Sequence, residues 1–434
     1  MATTYSTFSF ESYRLELYVV SRGRPPLQQF VSENADLAFF ILSNVRLFTG
    51  TDTIESGHVV FKNGLFSVVS PGPPPGHAGV PVVSKPGHTV VPGFIDAYIH
   101  GDKGQEIALH QSLKFGVTTV MDMHNETVNV HKLKKLAANK KDNAADFKAA
   151  GVAATIDGGW PMPVVTAHDK SEETAAEIAT WPRLASPADA EAYVAHNLSL
   201  ASGVDYTKLM HESGAAMGQV LPKPSLDVQK AVITATQAAG HVAVAHCLAR
   251  ADTREMLSMG INGQAHTFID EPVNQEIVDG YKKTGAWCNP TLALLGSLTK
   301  EGAAVTERFA NDKRVKGKLT EKGHANLCRC RGTVLTFLGG SDSAGLGLGT
   351  AWGVSFHHEL YLLVKECDFS PKEALHAGTA LTAKLFGWKN RGQIAQGPKA
   401  DLVLIEGNQL DDIDATLNIG SIWRDGIQAK EFQK

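Results

Sequence analysis

Apolar residues fall into two regimes along this chain. Between Ala38 and Val91 they form short runs interrupted by turn residues: Phe39-Phe40-Ile41-Leu42, Val45-Arg46-Leu47-Phe48, and Gly57-His58-Val59-Val60-Phe61, which leads to Asn63-Gly64. An Asn-Gly pair between apolar runs is a two-residue hairpin signal. The Pro-Gly cluster from Pro71 to Gly76 reads as a loop. From Pro92 the pattern becomes strand then helix, repeated. Strands are predicted ending at His100 and over Thr118–Met123, Val152–Ile156, Asp205–Met210, Val242–His246, Gly263–Phe268, Ala286–Pro290 and Val334–Asp342. Alternation of strand and helix implies parallel strands with crossover helices, and eight repeats predict a (β/α)8 barrel of TIM type. After a helix over Pro371–Leu385 the tail returns to short strands over Gly392–Ala395, Ala400–Ile405 and Ile422–Gly426, with a second turn signal at Asp425-Gly426. The expected division is an N-terminal extension (1–37), a small discontinuous β-sandwich-like domain from both ends of the chain (38–92 and 389–434) and the barrel (93–388).

Composition narrows the function classes. The 434 residues are 43% hydrophobic and 20% charged, with a formal net charge of −4. No Lys/Arg run stands out, which argues against nucleic acid as a partner. No apolar run reaches membrane-spanning length and no basic segment precedes an apolar one at the N-terminus, so neither a membrane span nor a secretory signal is expected. Five cysteines, an odd and sparse set, fit a reducing compartment and a cytoplasmic protein. Cys328-Arg329-Cys330 lacks the second pair that a structural zinc site would need, and Cys247 reads as core packing. The expected partner is a small-molecule substrate. Assembly into a homo-oligomer is left open.

The candidate chemistry lies at strand ends. Val90-Val91-Pro92-Gly93-Phe94-Ile95-Asp96-Ala97-Tyr98-Ile99-His100 is an apolar run that closes on two polar residues at alternate positions. On a strand Tyr98 and His100 share a face. Barrel chemistry is carried at the C-terminal ends of strands, where Lys208, His246, His266 and Asp342 also fall. Imidazoles with a carboxylate suit zinc and related metals. Taken singly, each has a plainer reading: packing for a histidine, a salt bridge for Lys208, a helix N-cap for Asp342. His124 and His211 also end strands and are candidates for lining the pocket, binding substrate or supplying a further ligand. Trp160, after Gly158-Gly159, is a candidate pocket wall or a packing residue. His241 begins its strand and belongs to the stability face. His357 and His358 are adjacent on a helix and cannot share a metal.

Several fragments, in this order, resemble the amidohydrolase superfamily, and within it enzymes similar to imidazolonepropionase, Xaa-Pro dipeptidases and ochratoxinase. Pro92-Gly93-Phe94-Ile95-Asp96 resembles the start of the first barrel strand, and Gly116-Val117-Thr118-Thr119-Val120-Met121-Asp122 the second-strand signature. His358-Glu359-Leu360 and Ser370-Pro371-Lys372-Glu373-Ala374-Leu375 resemble helices that follow the eighth strand, and Gly397-Pro398-Lys399-Ala400-Asp401-Leu402-Val403 the returning sheet. The likeness runs from about Ala38 to Gln428. It implies hydrolysis of an amide or related C–N bond in a small molecule, with one or two divalent metals, zinc by expectation. Lys208, carboxylated by carbon dioxide to a carbamate, would bridge them. His246 and His266 would complete one position, His100 and Asp342 the other. Asp342 would orient the attacking water, take its proton and pass it to the leaving nitrogen.

The chain departs from the family at Tyr98, where the pattern has a second metal-binding histidine. A neutral phenol is a poor ligand. The expectation is therefore a weak or empty first position, a retained second position on Lys208, His246 and His266, and a phenol that donates a hydrogen bond to substrate or water. The alternatives are different chemistry on the same scaffold (decarboxylation, lyase chemistry or deamination) and a catalytically impaired binding protein. Deamination is disfavoured, because Cys247-Leu248-Ala249-Arg250 after His246 lacks the catalytic Glu expected there.

Overall fold

The computed structural model describes residues 39–297, save 75, 78 and 200, together with 336–344 and 350–433. The expected extension 1–37, most of the run before the last parallel strand, and Cys328 and Cys330 lie outside the described residues.

Five strands come first: β1 (Phe40–Phe48), β2 (Thr53–Lys62), β3 (Leu65–Ser70), β4 (Val82–Ser84) and β5 (His88–Pro92). The two apolar runs at 39–48, read separately in the sequence, are one strand with a bulge. Ser43 pairs with His58 and Val45 with Gly57, which leaves Asn44 as an extra residue at φ 54°. An extra residue reverses the alternation. Phe40 and Leu42 before it, and Val45 and Leu47 after it, therefore all enter one core with Phe61, Phe66 and Trp423. Asn63 and Gly64, at φ 53° and 77°, make the predicted turn between β2 and β3.

Eight short parallel strands follow: β6 (Phe94–Ile99), β7 (Val117–Asp122), β8 (Asp146–Ala149), β9 (Thr207–Met210), β10 (Ala243–His246), β11 (Gly263–Ala265), β12 (Trp287–Asn289) and β13 (Thr336–Phe337). They form a three-stranded sheet, β6-β7-β8, and a five-stranded sheet, β13-β12-β11-β10-β9. One isolated parallel bridge joins the sheets at each edge, Ile99 with Ser343 and Ala154 with Leu209. Nearly every residue of these strands is buried, as expected when both faces of a parallel sheet are covered. The third strand lies earlier than the sequence predicts. The chain turns at Gly151, φ 67°, so Asp146–Ala149 pairs with β7 while Ala154, on the predicted strand, meets β9.

The chain ends return to the first sheet as β14 (Leu402–Glu406), β15 (Ile419–Arg424) and β16 (Ile427–Gln428), giving the order β16-β15-β14-β5-β1-β2-β3 with β4 beside β1. Asp425 and Gly426, at φ 51° and 73°, form the second predicted turn. Gly392–Ala395 is not a strand: Gly392 lies at φ 74°, and Ile394 instead plugs the core while its amide donates to the Thr49 carbonyl at 2.9 Å. A single residue, Gly93, separates β5 from β6. A Cβ there would stand 2.2 Å from Thr118 Oγ1, so the close passage of these strands requires glycine.

A buried clamp ties the returning segment to the parallel strands. Arg391 Nη1 lies 2.6 Å from Asp146 Oδ2, and Arg424 Nη2 3.4 Å from Asp146 Oδ1. Arg424 Nη1 also donates to the carbonyls of Ala137 and Ala144 at 2.7 and 2.8 Å. Burial opposes the charge of Asp146, but Arg391, Arg424 and Lys148 overcome it and hold the carboxyl below the usual range. Among the described residues no helix is long and apolar enough to cross a membrane.

Candidate active site

The parallel strands bring Tyr98, His100, Lys208, His246, His266 and Asp342 together, Lys208 from within β9 and the others from strand ends or the residues that follow them. Alternation along β6 sends Tyr98 and His100 to one side, with ring centres 5.3 Å apart. Lys208, on β9, is fully buried and donates to the Tyr98 hydroxyl at 3.1 Å, its ammonium nitrogen 4.2 Å from the centre of the same ring. The hydroxyl lies 3.4 Å from His266 Nε2, and His266 Nδ1 lies 2.7 Å from Thr291 Oγ1. The Asp342 carboxylate sits between two imidazoles, 3.5 Å from His100 Nε2 and 3.7 Å from His266 Nδ1. His266 and Asp342 have φ of 70° and 50°. Left-handed backbone at non-glycine residues collects at functional sites, where it re-aims a side chain as the strand ends.

His246 ends β10. Its Nε2 lies 3.1 Å from Glu212 Oε2, and the other oxygen of Glu212 accepts the Gly214 amide at 2.7 Å. Glu212 is fully buried. The indole of Trp160 stacks on His246, with centres 5.2 Å apart and planes 23° apart. The sequence reading missed Glu212 and Thr291. Glu212 carried a signal, because it shares the parity of Lys208 and Met210 and so faces the same side.

Burial dominates the electrostatics. It lowers His246, His266 and His100, the last to about 3 with help from Lys208, so the imidazoles stay neutral and keep a lone pair. Burial also lowers Lys208 to about 7, which leaves a neutral amine available near physiological pH. It raises Asp342 to about 7, partly offset by Lys208. The donor chemistry suits a divalent metal at Lys208, His246 and His266. Each of the two histidines has one ring nitrogen held by an oxygen partner, Glu212 or Thr291, an arrangement that orients metal-binding imidazoles; the other nitrogen of His266 faces the Tyr98 hydroxyl, which a bound ion would have to displace.

The other expected site residues sit differently. His124 is buried beside this group; its Nδ1 accepts the Ala153 amide at 3.1 Å, and its Nε2 has no hydrogen-bond partner. Its ring meets Trp181 edge to face at 4.6 Å. His211 is placed apart. It is fully buried, with Nδ1 2.6 Å from Gln229 Nε2 and Nε2 2.8 Å from Glu255 Oε2. Its parity is opposite to that of Lys208, so it points outward between helices. His211, Asp252 and Glu255 are close enough to hold an ion, but Lys223 Nζ stands 2.7 Å from each carboxylate and supplies the positive charge there.

The family model for the amidohydrolase family matches residues 89–429. The chain belongs to the amidohydrolase family. Its fold is similar to that of phenylurea hydrolase B, at 18% identity over 90% of this chain and 96% of that one, with a TM-score of 0.74. It is also similar to a Xaa-Pro dipeptidase with methionine bound in its active site (18% identity, 90% and 99% covered, TM-score 0.70) and to A. niger ochratoxinase (17% identity, 91% and 96% covered, TM-score 0.70). No curated protein sequence matches the chain. In this amidohydrolase the matched span begins in β5, just before the strand that carries Tyr98, and ends after β16.

Proposed function

We propose that this amidohydrolase is a metal-dependent hydrolase that cleaves an amide or related C–N bond of a small molecule. The observation that carries the reading is Lys208: a fully buried lysine within β9, its amine shifted toward neutrality and converging with His266 through Tyr98. A neutral amine is the form that takes up carbon dioxide, so Lys208 as a carbamate is part of the proposal. Lys208, His246 and His266 would hold one divalent ion, zinc by donor type. His100 and Asp342, with Tyr98 where the family pattern has histidine, form the weaker position. The two parallel sheets, bridged at both edges, are read as one (β/α)8 barrel over 93–388, and the mixed sheet as a separate domain over 38–92 and 389–434.

A bound divalent ion supplies Lewis acidity to the scissile carbonyl and the attacking water. Asp342, raised to about 7, is suited to accept a proton from that water and deliver it to the leaving nitrogen. His100, 3.5 Å from Asp342, holds the carboxylate in place. The Tyr98 hydroxyl, which lies between Lys208 Nζ and His266 Nε2, would turn its proton to a substrate oxygen. Trp160, stacked on His246, would form a wall of the pocket.

The test is hydrolysis by zinc-loaded protein of Xaa-Pro dipeptides, N-acyl amino acids and phenylureas, read by release of the amine. The expected result is turnover of one class, reduced at least ~100-fold in Asp342→Asn, the scale of losing a positioned acid–base group. Zinc-loaded protein that turns over none of them, or an Asp342→Asn variant as active as the parent, would overturn the reading.

A further inference from the structure

We infer that Glu359 is a positioning residue for His266, acting through Thr291. Glu359 lies in the helix Val354–Lys365 and is fully buried, in a segment to which the proposed reaction gives no part. Its Oε2 accepts the amide of Ala293 at 2.7 Å, and the Leu292 amide is also directed to the carboxyl. These are the two amides that follow Thr291. Thr291 itself has φ 52° and is fully buried. A β-branched residue in the left-handed region is an outlier that persists only where its surroundings over-determine it. Glu359 supplies that determination by fixing the peptide groups on the C-terminal side of Thr291, and the Leu295 amide closes on the Thr291 carbonyl at 3.1 Å. With the backbone so held, Thr291 Oγ1 reaches His266 Nδ1 at 2.7 Å.

The direction of the hydrogen bonds gives this contact its consequence. Lys208 donates to the Tyr98 oxygen, so the Tyr98 proton is free to point at His266 Nε2. Two oxygens face the other nitrogen, Thr291 Oγ1 at 2.7 Å and Asp342 Oδ2 at 3.7 Å. We assign the His266 proton to Nδ1, donating to Thr291 Oγ1, with the Nε2 lone pair facing the Tyr98 hydroxyl. The second oxygen of Glu359, Oε1, has no hydrogen-bond partner. A buried carboxyl that satisfies only one side is costly. Holding the Thr291 turn accounts for its presence.

The zinc arm of the test rests on the proposed function; the tautomer arm does not. Long-range nitrogen–proton spectra of metal-free, 15N-histidine-labelled protein report the tautomer of His266, whose signals are assigned by their loss in His266→Gln. Parent, Thr291→Ser and Glu359→Gln, which keep the hydroxyl or an acceptor, should show the Nδ1–H form. Thr291→Val and Glu359→Leu, with Glu359→Met as the replacement should the leucine variant not fold, should lose it to a mixture or to Nε2–H. Zinc affinity should fall ~10–100-fold in the valine and leucine variants and stay within ~3-fold in Glu359→Gln, the range seen when outer partners of metal-binding histidines are removed. Folded valine and leucine variants that retain the parent tautomer, even if their melting temperatures fall, would make Glu359 a helix cap alone and overturn the inference. If the tautomers respond as expected while the parent binds no zinc, the positioning role stands and the functional reading fails.

Discussion

Lys208 and Tyr98 form a buried pair in which the amine both donates to the phenol oxygen, at 3.1 Å, and lies over the phenol ring, 4.2 Å from its centre. One nitrogen thus makes both contacts with the phenol, at the place where the family pattern has an imidazole. If the hydroxyl serves the reaction, Tyr98→Phe, which keeps the ring and removes only the oxygen, should lower turnover ~10–100-fold, and Tyr98→His should lower it too while raising the metal content. Steady-state kinetics on an established substrate decide it: equal activity of parent and Tyr98→Phe would rule the hydroxyl role out.

Lys208→Ala should abolish hydrolysis and reduce bound metal. The substitution leaves a cavity, so thermal unfolding is measured alongside elemental analysis. A folded variant with undiminished metal and activity would contradict the bridging role.

Metal content of the purified protein should be nearer one ion per chain than two, because the Lys208, His246 and His266 position keeps its full donor set. Glu212→Gln should weaken that ion ~10–100-fold by replacing the carboxylate that orients His246. Competition with a chelator of known affinity measures it; two tightly held ions in the parent, or an unchanged affinity in the variant, would be the contrary result.

Asp146 should make stability pH-dependent in a predictable direction. Its pKa is lower folded than unfolded, so its contribution is complete above the ordinary carboxylate range, near 4, and is lost as pH falls toward the depressed value. Asp146→Asn, which leaves Arg391 and Arg424 without their carboxylate, should cost ~3 kcal/mol at pH 7. The gap should shrink by ~1 kcal/mol between pH 5 and pH 3. Urea unfolding at the three pH values tests this, and a gap that is constant or widens toward acid would be inconsistent with it.

Much of the parallel-strand pattern was legible because those strands are short, apolar and followed by amphipathic helices, a signal that survives without tertiary information. The turns at Asn63-Gly64 and Asp425-Gly426 were legible for a similar reason: both residues of each pair take φ above 50°, and few residue types do so cheaply. What failed depended on single backbone torsions. Asn44 joins two runs into one strand, and Gly151 splits a predicted strand from the segment that pairs with β7. At the site, strand-end position identified the residues that converge, but it does not say which side a residue faces. Parity separates Glu212 from His211, and applying it along β9 as along β6 would have exchanged them. Thr291 and Glu359 gave no such signal, since the contact of Thr291 with His266 and that of Glu359 with the Ala293 amide each join separate elements of the chain.

The pairing of β5 with β14 has a consequence for biosynthesis. β5 emerges early from the ribosome, yet its neighbour β14 is among the last segments made, with all the parallel strands synthesised between them. Until then Val90 and Val91 present an apolar strand edge with no partner, the kind of surface that invites wrong pairing in a nascent chain. β5 continues into β6 through Gly93 alone, and β6 meets β7 soon after both are made, so it is the outer edge of β5 that stays open until β14 is synthesised. The mixed sheet that abuts the parallel strands is thereby completed only at the end of synthesis.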